Sequence, residues 1–173
     1  MPVTYRLLGN EDAETYRVLR LQSYQEDPLA FSESFADEQT RPLTSFQEEL
    51  HLLGKPEEWF VLGAFIEEHL IGFVKFRRDQ RSKARHKSMV HAMYVDPTYR
   101  KRGVGKALME NLIGRARALP GLEQIHLWVL HANGKTAAHF YQNMGFQRQG
   151  PLVKDDLKWQ DQYIDAEYMV LRL

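Results

Sequence analysis

Four cations and two glycines crowd the segment Val95-Asp96-Pro97-Thr98-Tyr99-Arg100-Lys101-Arg102-Gly103-Val104-Gly105-Lys106-Ala107-Leu108. Arg100, Lys101, Arg102 and Lys106 supply positive charge, while Gly103 and Gly105 let a ligand approach the backbone closely. That combination points to anion binding. The elements on either side reinforce it. An apolar run over residues 89–95 reads as a buried strand, and Pro97 ends it, because proline lacks an N–H and fixes φ. Past the glycines, Val104, Leu108, Leu112, Ala116 and Leu119 recur at helical spacing. A strand thus feeds a short loop that opens a helix, whose free N–H groups and positive end suit a phosphate. A phosphorylated cofactor is expected here.

Three phosphate-binding motifs compete for Gly103-Val104-Gly105. A dinucleotide-binding G-x-G-x-x-G needs a third glycine where Leu108 stands, and an acidic residue after the next strand. A P-loop needs a hydroxyl after Gly-Lys to hold magnesium, but Ala107 follows Gly105-Lys106. Neither fits. A third pattern does: Arg-x-x-Gly-x-Gly preceded by Val-x-Pro, with a companion block downstream of Asn133, Ala137, Phe140-Tyr141 and Met144-Gly145-Phe146. The two blocks resemble motifs A and B of the GNAT superfamily of acyl-CoA N-acyltransferases, and the order of elements extends the resemblance over nearly the whole chain. The resemblance implies that acetyl-CoA is the cosubstrate. Backbone N–H groups over Arg100, Lys101, Arg102, Gly103, Val104, Gly105 and Lys106 would hold its pyrophosphate. Met93, Tyr94 and Val95 would hydrogen-bond the pantetheine arm like an added strand, and a splay between that strand and the next would expose the thioester. Asn133 would contact the pantetheine, and the Tyr141 hydroxyl would lie near the thioester sulfur.

The remaining elements follow from capping and periodicity. Residues 4–8 read as a first strand. Asn10 is expected to cap a helix that starts at Glu11 and Asp12 and reaches about residue 24. Leu29-Ala30-Phe31 begins a further helical turn, and Thr44 or Ser45 caps another helix running to Leu53, with Glu48 near a capping-box position. Residues 60–66 and 70–76 read as a β-hairpin. A strand over 124–130, a helix over 133–143 stopped by Gly145, and strands over 146–149 and 163–173 complete the chain. The order β-α-α-β-β-β-α-β-α-β-β predicts an α/β (α+β) fold, a mixed sheet with helices on both faces, in one domain over residues 1–173. From the resemblance, that sheet is mostly antiparallel and splayed at the cofactor site.

Composition sets the outer bounds. Hydrophobic residues make up 43% and charged residues 27% of the 173, which is ordinary for a globular protein. Lys plus Arg and Asp plus Glu are equal at 23 each, so no global charge draws the chain to nucleic acid or a membrane. No apolar run approaches the roughly 20 residues of a spanning helix, and residues 1–6 show no signal-peptide h-region. A cytoplasmic location follows by default. Cysteine is absent, which closes disulfides, thiolate metal sites and a covalent cysteinyl intermediate.

Acyl transfer from a thioester to an amine makes three demands. The amine must shed its proton, because an ammonium of pKa about 10 has no lone pair. The carbonyl oxygen needs hydrogen-bond donors as charge develops on it, and backbone N–H groups of a splayed strand can supply them. The departing thiolate needs a proton, which Tyr141 can provide. Direct attack in a ternary complex meets all three without a metal. In several members of the family a carboxylate stands where this chain has Met89. His91 is the nearest titratable group and could relay a proton through water; a carboxylate from the acidic segment 26–49, or solvent, is the alternative. That segment otherwise reads as a solvated helix face whose negative potential would favour a cationic amine. The basic stretch 77–87 reads as a solvated loop, with contact to the coenzyme's 3′-phosphate as its functional alternative. His126, His131 and His139 lack metal-ligand spacing. The expected enzyme is an acetyl-CoA-dependent N-acetyltransferase acting on a primary amine of a small molecule. Protein N-termini or lysines are the alternative acceptors, a non-catalytic coenzyme A-binding regulatory module is a third reading, and a homodimer is left open.

Overall fold

Residues 2–51, 55, 58–132, 134 and 136–173 are described by the computed structural model. The strands among them are β1 (Thr4–Leu7), β2 (Trp59–Ile66), β3 (His69–Arg78), β4 (Lys87–Val95), β5 (Gln124–His131), β6 (Gln147–Arg148), β7 (Val153–Trp159) and β8 (Gln162–Arg172). They form one sheet in the order β1-β2-β3-β4-β5-β8-β6, with β7 paired to β8. Every pair is antiparallel except β4–β5. A parallel step needs a crossover, and α4 (Val104–Arg117) supplies it. The expected mixed, mostly antiparallel sheet with helices on both faces is present.

Strand alternation sends successive side chains to opposite faces, and both faces are covered. Leu62, Val74 and Phe76 meet Leu108, Met109 and Leu112 of α4 on one side. Val61, Phe73 and Tyr94 meet Tyr16 and Leu19 of α1 (Ala13–Glu26) and Phe46 and Leu50 of α3 (Leu43–His51) on the other. This two-sided burial explains why β2 and β3 read as continuous apolar runs. No helix among the described residues is long and apolar enough to cross a membrane.

Several elements depart from expectation. Asn10 does not cap α1: Gly9 precedes a 3-10 turn over Asn10–Asp12, and the Asp12 carboxylate accepts the Gly9 N–H at 2.8 Å while pairing with Arg6 at 2.7 Å. Leu29-Ala30-Phe31 forms no helical turn. The second helix is α2 (Phe35–Gln39), where Ser34 Oγ accepts the Asp37 N–H at 3.2 Å. Thr44 and Ser45 lie inside the first turn of α3 rather than capping it, and Leu53 lies outside the described residues. The helix predicted over 133–143 shrinks to α5 (Ala138–Asn143). Strand β7 was not predicted at all. Its residues are mostly exposed and charged, and its pairing with β8 makes it a strand.

The acidic segment is not simply a solvated face. Glu38 and Glu49 are buried, and cations from α1, β3 and the connector between α2 and α3 hold them. Arg41 reaches Glu38 at 2.8 Å and Glu49 at 2.9 Å, Lys75 of β3 reaches Glu49 at 2.8 Å, and Arg20 reaches Glu38 at 3.4 Å.

Candidate active site

Strand β5 pairs with β4 only over Lys87–Val90 against Gln124–Leu127, although β4 continues to Val95 and β5 to His131. On its other side β4 carries a bulge: Lys75 faces Ala92 and Phe76 faces Val90, which leaves His91 with no residue opposite. A bulge bends its strand and increases the local twist. The second half of β4 therefore parts from β5, and the gap is a cavity of about 1070 Å³. Met93, Tyr94 and Val95 still pair with β3, so the opposite edge of the strand faces the cavity without a β5 partner. That is the splay the resemblance implies.

The loop after β4 forms the mouth. Lys101 and Gly103 both have positive φ, 61° and 82°, and the left-handed Gly103 caps α4. Ala107 N–H to Gly103 O, at 2.9 Å, is the first backbone bond of that helix, so the N–H groups of Val104, Gly105 and Lys106 have no intrahelical acceptor. Gly105 also allows close packing, because a Cβ there would come within 2.9 Å of Met93 Cε. Arg100, Lys101, Gly103, Val104, Gly105 and Lys106 all line the cavity. Arg102 does not; its guanidinium lies over the Tyr99 ring. Arg100 is a brace as much as a charge, since its Nε donates to Val95 O at 2.8 Å and its guanidinium approaches Glu26 at 3.8 Å. Glu26 in turn accepts the Tyr94 hydroxyl, which ties the end of α1 to β4. Asn133 lies outside the described residues.

Tyr141 and His91 face the gap from different sides. The Tyr141 hydroxyl donates to Met93 Sδ at 3.8 Å, and burial pushes it up to about 12. It stays protonated at neutral pH. His91 lines the cavity beside Trp59, at 6.2 Å between ring centres, and its side chain is open to solvent. Its ring is pushed down to about 4, first by desolvation and then by the charges of Lys75 and Arg77. It is neutral at pH 7. Met89 also lines the cavity and offers no titratable group.

Acidic residues also line the cavity, three of them from the segment 26–49 that sequence reasoning offered as an alternative base, whereas Asp156 was not singled out. Glu26, Asp27 and Glu33 come from α1 and the connector after it, and Asp156 comes from β7. The register of β7 slips between Val153 and Leu157, and Asp156 lies within that slip. The only sequence signal of these acids was charge, which surface residues share. The basic stretch 77–87 stands at the opposite end of β4, roughly 30 Å away by strand rise, and cannot reach a ligand at Arg100–Lys106. Its cations are used locally: Arg78 donates to Arg85 O at 2.6 Å and to Pro120 O at 2.8 Å, and Arg85 pairs with Glu58 at 2.9 Å.

Comparison with known proteins agrees with this geometry. The model of the acetyltransferase (GNAT) family matches residues 20–146, more than half of the chain. An uncharacterized N-acetyltransferase from Methanocaldococcus jannaschii is 38% identical over 60 residues, which is 35% of this chain and 26% of that protein; the match thus spans about a quarter of the relative's length. A GNAT-family acetyltransferase from Streptococcus pneumoniae superposes with a TM-score of 0.86 at 22% identity, covering 99% of this chain and 100% of the other. A GNAT phosphinothricin acetyltransferase from Sinorhizobium meliloti in complex with acetyl-CoA gives 0.83 at 22% identity, covering 100% and 89%.

Proposed function

The chain belongs to the acetyltransferase (GNAT) family and is an acyltransferase, and from that premise we propose that it transfers the acetyl group of acetyl-CoA to a primary amine of a small molecule. The observation that carries the reading is the parting of β4 from β5 with unbonded helix N–H groups at its mouth and the Tyr141 hydroxyl inside it. The continuous sheet from β1 to β8 supports reading residues 1–173 as one catalytic domain. The acetyl-CoA-bound neighbour from Sinorhizobium meliloti supports the donor.

In this reading the N–H groups of Val104, Gly105 and Lys106 take the pyrophosphate, aided by Lys101 and by Arg100 and Arg102 nearby. The free edge of Met93, Tyr94 and Val95 holds the pantetheine. The amine lone pair attacks the thioester carbonyl carbon; the C–N bond forms, the C–S bond breaks, and the sulfur leaves as thiolate. Backbone N–H groups of the bulged strand stabilise the developing oxyanion. Tyr141 donates a hydrogen bond to the sulfur, or gives it the hydroxyl proton and regains one from solvent. Once the C–N bond forms, the nitrogen becomes far more acidic than a free ammonium, and neutral His91 relays that proton to solvent. Glu26, Asp27, Glu33 and Asp156 make the acceptor half of the cavity negative, which suits an amine that arrives as a cation.

The test is thiol release from acetyl-CoA against small amines, amino acids, polyamines and N-terminal peptides. Turnover with small amines supports the reading. Turnover with peptides alone would transfer the activity to protein acceptors. Binding of acetyl-CoA with no release above background across the panel would leave a coenzyme A-binding module and end the catalytic reading.

A further inference from the structure

A buried carboxylate beside α5 has no part in the mechanism above. Glu167 of β8 is 4% exposed, and a charge so placed is costly unless it is paired. Its partners lead toward the site. One oxygen is 3.3 Å from Arg148 Nε, and the other is 2.9 Å from His131 Nε2 at the end of β5. An ionised carboxylate only accepts, so Nε2 carries the ring proton. Thr136 Oγ1 lies 3.4 Å from the same nitrogen and accepts the Ala138 N–H at 3.1 Å. Ala138 is the first residue of α5.

This helix cannot position itself. Its six residues make fewer than two turns, and so short a helix is unstable without outside support. Tyr141 is gripped from the far side, where Met144 and Phe146 N–H both donate to its carbonyl at 3.0 Å. From the near side the contacts run through Thr136 to His131 and Glu167.

We infer that Glu167 and His131 are positioning residues for Tyr141, anchoring Thr136 and the first turn of α5 so that the tyrosine hydroxyl stays aimed at the sulfur position between β4 and β5. The inference rests on the role proposed for Tyr141. If the helix start drifts, the hydroxyl misses the leaving sulfur while the pyrophosphate cradle on α4 is untouched. The signature is a loss in kcat with little change in acetyl-CoA affinity.

A double-mutant cycle tests it. Glu167→Gln and Thr136→Val are each expected to lower kcat about tenfold and to change the acetyl-CoA Kd by less than about twofold. In a Tyr141→Phe background the same substitutions should lower kcat by less than about twofold, because the group they position is gone. A full tenfold loss in that background would overturn the inference, since the effect would then bypass Tyr141. So would wild-type kcat in Thr136→Val. If Tyr141→Phe alone leaves kcat unchanged, the proposed role of the tyrosine fails first, and this inference goes with it. Should Glu167→Gln fail to fold, the cycle with the exposed Thr136 decides.

Discussion

His91→Gln addresses how the acceptor amine loses its proton. The ring is pushed down to about 4 by desolvation, Lys75 and Arg77. An alkylammonium acceptor has a pKa of about 10, and the His91 ring is held below the ordinary imidazole value of about 6.5, so moving the proton to His91 runs uphill by more than about 3 units, or more than about 4 kcal/mol. That cost rules His91 out as the group that deprotonates the ammonium. The amine must therefore lose its proton to solvent before it attacks, and only about one molecule in a thousand of such an acceptor is neutral at pH 7. The logarithm of kcat/KM should therefore rise with a slope of about one between about pH 6 and about pH 9, following the free-amine fraction. No bend is expected near the ordinary imidazole pKa of about 6.5. The His91→Gln variant should keep the same slope and lose about tenfold or less in rate. The assay is thiol release at saturating acetyl-CoA with two acceptors whose amine pKa values differ by about 2 units; the profile should move by the same amount. A limb near pH 6.5 that is present in the wild type and absent from His91→Gln would refute the reasoning.

Other outcomes follow from burial and backbone geometry. Glu49→Gln leaves Lys75 and Arg41 without their shared counter-charge, so urea unfolding should show a loss of about 3–5 kcal/mol, with the Glu49→Gln, Lys75→Met pair recovering part of it. Burial pushes the Glu49 carboxyl up, but Lys75 and Arg41 more than offset this and hold it below the ordinary carboxylate range. Its contribution is thus complete above the unfolded pKa, about 4.3, and is lost as pH falls through the lower folded value; a pH series of unfolding midpoints reads this in wild type but not in Glu49→Gln. Gly103→Ala meets no atom within 4 Å, so its cost is the left-handed backbone alone, about 1–2 kcal/mol. It should also weaken acetyl-CoA binding, measured by titration calorimetry, by distorting the N–H groups that follow.

Much of the site was legible because its signals are local. Pro97 ends a strand wherever it stands, Gly103 adopts a backbone that other residues resist, and Val104, Leu108 and Leu112 declare a helix by spacing alone. The hairpin of β2 and β3 was legible for the same reason. Strand β7 was not, because Lys154, Asp155 and Asp156 carry no alternation and take strand form only against β8. The cap of α1 was misassigned to Asn10 because the Asp12 carboxylate, three residues on from Gly9, takes the N–H instead.

By itself, the sequence determined the strand, the glycine-bearing basic turn and the helix after it, and the absence of a cysteine nucleophile. Tertiary structure decided the rest. The bulge at His91 parts β4 from β5, which a linear pattern cannot express because it depends on register with β3. The proton affinity of His91 is lowered first by desolvation and then by Lys75 and Arg77 from the neighbouring strand. Glu38 and Glu49 read as surface acids, yet they lie buried because Arg20, Arg41 and Lys75 converge on them from separate parts of the chain. Electrostatic energy depends on distance in space, and only the fold fixes those distances.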